Sequence, residues 1–444
     1  MISFFNRGKE SKRRKLPLHR TPHVSRFTLH AIALAVGLPV ASPALTVHPR
    51  GSEPVAMVTT NRPILTVSRR TYTFPKAGVF VSNEFEGARF NDFQQTGPAT
   101  YTATVAPENF PINDSCWYAF KIWSASNQVV HVKLEYQHGK HRYPPQTSTD
   151  GAHWEKLPRA NSATNDSGRS VTLTLNVGPQ PLWVAGQELF TSKDFKEWSA
   201  ELAKLPFVQS RVLGQSTLGK PIYELELTEA GPDAKCVLVL SRQHPPEVTG
   251  TFALRAFVQT LCADTPLAKS FRKQFKVVIV PEANPDGVDA GHWRHNARGV
   301  DLNRDWGQFH QTETRLLRDE FLRFQKTACF GLDFHSTFHD VFYPSQKNGE
   351  AKADAADKSN PTQIDDLVWK WLNQVQTRVP EYEVNIEASS HHSGGSTMTS
   401  TAWMRRALKI PAVTYEAGDA TDRNLIRKVA EAGAEAMMEL LLAK

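Results

Sequence analysis

At 444 residues, 40% of them apolar and 22% charged, the chain is long enough for two cores and has the composition of neither a disordered chain nor a polytopic membrane protein. Its formal net charge of +7 does not imply an anionic partner such as nucleic acid. Residues 1–44 hold eight Lys and Arg and one acid, which accounts for the whole excess and leaves the remainder near neutral.

Those first residues, 1–44, read as an export signal. The basic stretch Lys12-Arg13-Arg14-Lys15 precedes an apolar run from Phe27 to Ala41, and the small residues Ser42-Pro43-Ala44 follow. The run is shorter than the ~20 residues of a bilayer span. A periplasmic or secreted protein is therefore expected, without stable membrane insertion once the signal is removed. A cytoplasmic or membrane-anchored chain is the alternative. Residues 45–70 form an extended lead-in. Over 71–190, short runs of near period two, such as Val129–Tyr136 and Val171–Val177, are separated by turns like His138-Gly139-Lys140, which predicts an antiparallel β-sandwich. A helical linker occupies 191–206, centred on Ser192–Leu205. From 207 to 444 strand-like runs alternate with helical ones (Val248–Leu261, Thr312–Gln325, Gln363–Gln376, Leu425–Leu442), which predicts an α/β domain: a mixed, largely parallel sheet with helices on both faces. Cys116, Cys236, Cys262 and Cys329 are scattered singly, and no disulfide pairing can be chosen.

Four of the strand-like runs end in polar clusters. Cys236–Ser241 leads into Gln243-His244-Pro245-Pro246-Glu247, and Lys276–Val280 into Pro281-Glu282-Ala283-Asn284-Pro285-Asp286-Gly287. Phe330–Phe334 leads into His335-Ser336, and Ala412–Tyr415 into Glu416-Ala417-Gly418. Ligands of open α/β sheets bind beyond the carboxyl ends of the strands, so the four clusters point to one site. Imidazole nitrogen and carboxylate oxygen suit Zn2+, whose catalytic sites use three protein ligands and keep a position open. His244 and Glu247, at a strand-to-helix corner, can meet one ion, and His335 supplies the third ligand. There is no HExxH helix, which excludes a thermolysin-type arrangement. An isolated HxxE is weak evidence; its position after a buried strand and the other three clusters give it weight.

Residues 207–444 resemble the zinc carboxypeptidase family of the carboxypeptidase A type, the funnelins. The segments that carry the resemblance are His244-Pro245-Pro246-Glu247, Gly299-Val300-Asp301-Leu302-Asn303-Arg304-Asp305-Trp306, His335-Ser336 and Thr414-Tyr415-Glu416. Upstream, Phe85-Glu86-Gly87, Trp117-Tyr118-Ala119-Phe120 and Pro181-Leu182-Trp183-Val184-Ala185 resemble the β-sandwich of the cytosolic-carboxypeptidase branch and its bacterial relatives. The resemblance implies one Zn2+ per chain on His244, Glu247 and His335, with Asp301 orienting the first histidine. It implies Arg294 as the group that stabilises the oxyanion, Asn303 and Arg304 as the grip on a terminal carboxylate, and Glu416 as general base. The implied reaction is release of C-terminal residues from peptides or protein tails by Glu-assisted attack of a zinc-bound water.

Other readings stay open at this stage. Arg298 could replace Arg294, Arg304 and Asp305 could be a surface ion pair, and Glu416 could pair with Arg423. His391-His392 reads as part of a Ser/Gly-rich loop, and His339-Asp340 is unassigned. Between Tyr382 and Tyr415 there is no tyrosine to serve as the mobile-loop tyrosine of the digestive members. Arg405 and Arg406 precede Glu416 at roughly the interval of the family's side-chain pocket, and would favour a terminal Glu or Asp. Competing functions are a cell-wall (murein) peptide amidase using the same zinc site, and an inactive binding protein.

Overall fold

The computed structural model describes residues 58–344, 364–387 and 397–443, and the backbone of the strand Thr46–His48. The expected export signal, and the Ser/Gly-rich stretch with His391-His392, lie outside the described residues.

The alternating runs upstream become two sheets. One has the order Ser162–Thr164, Ser170–Val177, Gln128–Tyr136, Thr100–Val105, Asp92–Gly97. The other has the order Thr71–Phe74, Val79–Ser82, Ala119–Ser124, Leu182–Ala185, Gln146–Ser148, Glu155–Lys156. In Gln128–Tyr136 the side chains of Val130, Val132 and Leu134 are fully buried while His131 and Glu135 are exposed, the signature of a half-buried strand. Inward residues of both sheets share one cluster, including Val81, Phe93, Tyr101, Phe120, Val132 and Leu173. Pairing is antiparallel except between Thr100–Val105 and Gln128–Tyr136, which run parallel.

The large sheet, nine strands among the described residues, takes the order Thr46–His48, Asn385–Glu387, Val341–Pro344, Ala412–Gly418, Ala328–Thr337, Lys235–Ser241, Phe275–Val280, Pro221–Leu227, Val208–Gln215. The four strands from Ala412–Gly418 to Phe275–Val280 are mutually parallel, and antiparallel pairs flank them. Parallel strands are apolar on both faces because helices cover both. Val237, Val239, Leu332 and Phe334 face helices Val248–Cys262 and Arg423–Leu442, while Leu238 and Leu240 face Thr312–Arg323 and Ser400–Trp403. No helix among the described residues is long and apolar enough to cross a membrane. All four cysteines are free thiols.

Helix Ser192–Leu202 buries Phe195, Trp198 and Leu202 in the core of the large sheet. At its start Ser192 N donates to Asp289 Oδ1 (3.0 Å) and Ser192 Oγ to Glu282 Oε1 (3.2 Å). Burial, with Asp289 nearby, pushes the Glu282 carboxyl up to about 8. An acid with a raised folded pKa holds its proton more tightly folded than unfolded. Its contribution is present below about pH 4.5 and is lost as pH rises through about 8. Glu282→Gln is therefore expected to flatten the fall of unfolding free energy between pH 5 and 8, by up to about 1.4 kcal/mol per pH unit. Equal slopes for both proteins in thermal unfolding would refute this.

Candidate metal centre and active site

The strand Lys235–Ser241 hands the chain to Arg242, a non-glycine residue at φ 54°. Such a conformation persists only where surroundings enforce it. The buried Arg242 guanidinium does so, donating to Pro245 O (2.9 Å) and Thr251 Oγ1 (2.9 Å). The turn it closes presents His244 and Glu247 from one corner, with Glu247 the residue immediately before helix Val248–Cys262. That helix start sits on the next two strands: Gly250 N donates to Ser336 Oγ (2.8 Å) and Thr249 Oγ1 to Ala417 O (2.9 Å). A Cβ on Gly250 would lie 2.4 Å from His335 O. Gly250→Ala is expected to lower stability by about 1–3 kcal/mol through overpacking, although alanine is the better helix former by ~1 kcal/mol. A Tm at or above that of the parent would refute it.

His335 lies within Ala328–Thr337 rather than at its end, and Glu416 lies within Ala412–Gly418. The parallel register pairs the two directly, so both project from the same face of the sheet. Glu416 is partly exposed, whereas His335 is fully buried.

His244, Glu247 and His335 each offer a ligand atom, and these atoms lie within 4.8 Å of one another. His244 Nδ1 is 2.7 Å from Glu247 Oε1, and His335 Nδ1 is 2.6 Å from Glu247 Oε2. Each imidazole turns its other nitrogen to a buried carboxylate: His244 Nε2 to Asp301 Oδ1 (2.9 Å) and His335 Nε2 to Asp333 Oδ2 (2.9 Å). This carboxylate–histidine arrangement fixes tautomer and ring orientation and leaves the Nδ1 atoms facing one point. Two imidazoles and a carboxylate with those supports fit Zn2+. Burial opposes charge on Glu247, Asp301 and His335, yet contacts outweigh it. His244 and His335 hold the Glu247 carboxyl well below its usual range, Arg294 and His244 do the same for Asp301, and Asp333 and Glu247 hold His335 well above its own.

Arg294, buried, donates from Nε to Asp301 Oδ2 (2.7 Å). Arg298 is exposed, so it is Arg294 that stands beside the first ligand's support. Asn303 approaches His335, with Nδ2 3.3 Å from His335 Nε2, and its Oδ1 accepts from Ser400 N (2.9 Å). Arg304, also buried, donates from Nη1 to Asn303 O (2.9 Å). Asp305 accepts instead from His310 N (3.0 Å) and Gln311 N (2.8 Å), closing its own loop. Arg423 makes a bidentate pair with Glu188 (2.9 and 2.8 Å). Asp340 accepts from Gly418 N (3.2 Å) and Thr421 Oγ1. Arg405 is half-buried with Asp365 as a nearby charge, and Arg406 is exposed, both on the turn Met404–Leu408.

Sequence reasoning missed Asp333, and it placed Gln243 in a strand-end cluster without giving it a role. Gln243 Nε2 donates to Asp333 Oδ2 (2.7 Å), and its Oε1 accepts from Trp306 Nε1 (2.8 Å). Asp333 had a signal, standing two residues before His335 and so on the same face of its strand. Ser400, whose hydroxyl also reaches Asp333, had none.

A family model described as zinc carboxypeptidase matches residues 196–436. Cytosolic carboxypeptidase 2 of Xenopus tropicalis is 32% identical over 120 residues, 26% of this chain and 12% of that protein. Human cytosolic carboxypeptidase 6 is 24% identical over 254 residues, 52% of this chain and 50% of that protein. The chain thus spans half or less of either relative. The crystal structure of a metallo-carboxypeptidase from Burkholderia cenocepacia superposes with a TM-score of 0.69 at 16% identity, covering 82% of this chain and 99% of that one.

Proposed function

This chain belongs to the zinc carboxypeptidase family, and on that premise we propose that it releases C-terminal residues from peptides or protein tails. One observation carries the reading: beside the donor triangle of His244, Glu247 and His335 stand Asn303, which approaches His335 and accepts from Arg304, and Glu416, the strand neighbour of His335. His244, Glu247 and His335 would hold the zinc, which when bound supplies Lewis acidity to a carbonyl and acidifies water. Glu416 takes a proton from the attacking water and returns it to the leaving amine. Arg294, oriented by Asp301, offers its guanidinium to the developing oxyanion. Asn303 and Arg304 bind the free α-carboxylate, because a guanidinium fork matches a carboxylate through parallel hydrogen bonds. This selects chain ends over internal bonds.

The test is residue release from peptides with free and amidated C-termini, before and after chelation. Chelation is expected to abolish release and added zinc to restore it, with amidated peptides left uncut. Arg304→Ala is expected to raise KM on free-carboxylate peptides by at least about tenfold, the value of a charge-assisted contact. Release that survives chelation, or cuts amidated peptides equally, would sink the reading.

A further inference from the structure

Glu108 lies in the segment that joins the upstream strands Thr100–Val105 and Ala119–Ser124, yet its side chain serves the downstream loop that carries Arg294. It is wholly buried. Oε2 accepts from Trp293 N (2.7 Å), and Oε1 accepts from Arg294 N (3.1 Å) and His295 N (2.7 Å). Three successive amide N–H groups converging on one carboxylate form an anion-binding nest. The backbone can present them together along only a narrow range of paths. The carboxylate therefore dictates the course of the peptide from which the Arg294 side chain springs.

The surroundings make this attachment rigid. Arg89, buried, donates from Nε (3.0 Å) and Nη2 (2.7 Å) to Ala106 O, fixing the segment that bears Glu108. Trp293, fully buried, lies in the apolar cluster of the upstream sheets and donates from Nε1 to Trp117 O (3.0 Å). A Cβ on Gly139 would come within 2.9 Å of the Trp293 ring and 2.2 Å of Cys116 Sγ, so that turn can close over the ring only as glycine. Arg294 is thus held at two ends, its backbone by Glu108 and its guanidinium by Asp301.

We propose that Glu108 is a positioning residue for Arg294, and that setting the oxyanion-facing arginine is what the upstream sheets contribute to the reaction. The proposal rests on the reading of Arg294 given above. The experiment uses the full zinc-loaded chain in four forms: parent, Glu108→Gln, Arg294→Ala and the double variant. Hydrogen exchange at amides 293–295, zinc content, and kcat and KM on one peptide are followed. Glu108→Gln is expected to speed exchange at those amides with zinc content unchanged. It should lower kcat on the order of tenfold, as a displaced catalytic group does, while KM stays within about twofold. Arg294→Ala is expected to cost about 100-fold in kcat, and adding Glu108→Gln to it should cost nothing more. Glu108→Asp, which keeps the charge on a shorter arm, is expected to fall between parent and Gln and serves if the Gln variant folds poorly. Parent-like exchange and kcat in Glu108→Gln, or an equal further loss in the Arg294→Ala background, would overturn the link between the two residues. Parent-like kcat in Arg294→Ala would overturn the reading of Arg294 itself, and this proposal with it.

Discussion

Glu416→Gln is expected to lower kcat by about 10²–10⁴-fold, the usual worth of a general base, while leaving zinc content and Tm near those of the parent. The separation follows from position. Glu416 is the strand neighbour of His335 and shares its face of the sheet, but it stands outside the donor triangle. It is also partly exposed where His244, Glu247 and His335 are buried. Glutamine keeps the shape and cannot accept the proton. Steady-state release of a C-terminal residue, with zinc measured on the same sample, checks it. A kcat within about threefold of the parent would mean that another group takes the proton.

Asp333→Asn should weaken zinc affinity by about 10–100-fold, the range seen when a histidine ligand loses its carboxylate support. Asp333 Oδ2 collects His335 Nε2, Gln243 Nε2 and Ser400 Oγ in a fully buried pocket. Removing the charge makes the imidazole a poorer donor to the metal and loosens its orientation. Competition with a chelator of known affinity measures this without any substrate. Unchanged affinity would show that Gln243 and Asn303, which also approach His335 Nε2 (3.4 and 3.3 Å), suffice to orient it.

The parts of this molecule legible in the sequence are those written in local pattern. The period-two runs of 128–136 and 170–177 became strands, and the apolar runs at 236, 276, 330 and 412 became the parallel centre of the large sheet. The strands Val208–Gln215 and Pro221–Leu227 were harder to see, since Arg211, Glu224 and Glu226 interrupt them. Arg211 and Glu224 pair with one another across the two strands (3.0 Å). The helix Ser192–Leu202 reads from sequence as a connector, but its apolar face is buried in the core. Within the site, the ligand residues are marked by chemistry and spacing. Much of what holds the residues around them comes from far along the chain: Ser400 is 67 residues from Asp333, and Glu108 is 186 from Arg294. Such contacts are fixed by packing and leave no local trace.

Asp301 has an unusual consequence for anyone dissecting this site by mutation. One of its oxygens holds a zinc-ligand imidazole and the backbone of Asn303, and the other holds the Arg294 guanidinium. On the roles proposed above, a substitution there perturbs three things at once: ion retention, oxyanion contact and the carboxylate grip. The resulting rate loss cannot be apportioned, because effects at groups that share a partner do not add. Asp333 touches the His335 imidazole and not Arg294, while Glu108 touches the Arg294 backbone and neither histidine of the donor triangle. Those two positions, not the carboxylate at the hub, are where the separate contributions can be measured.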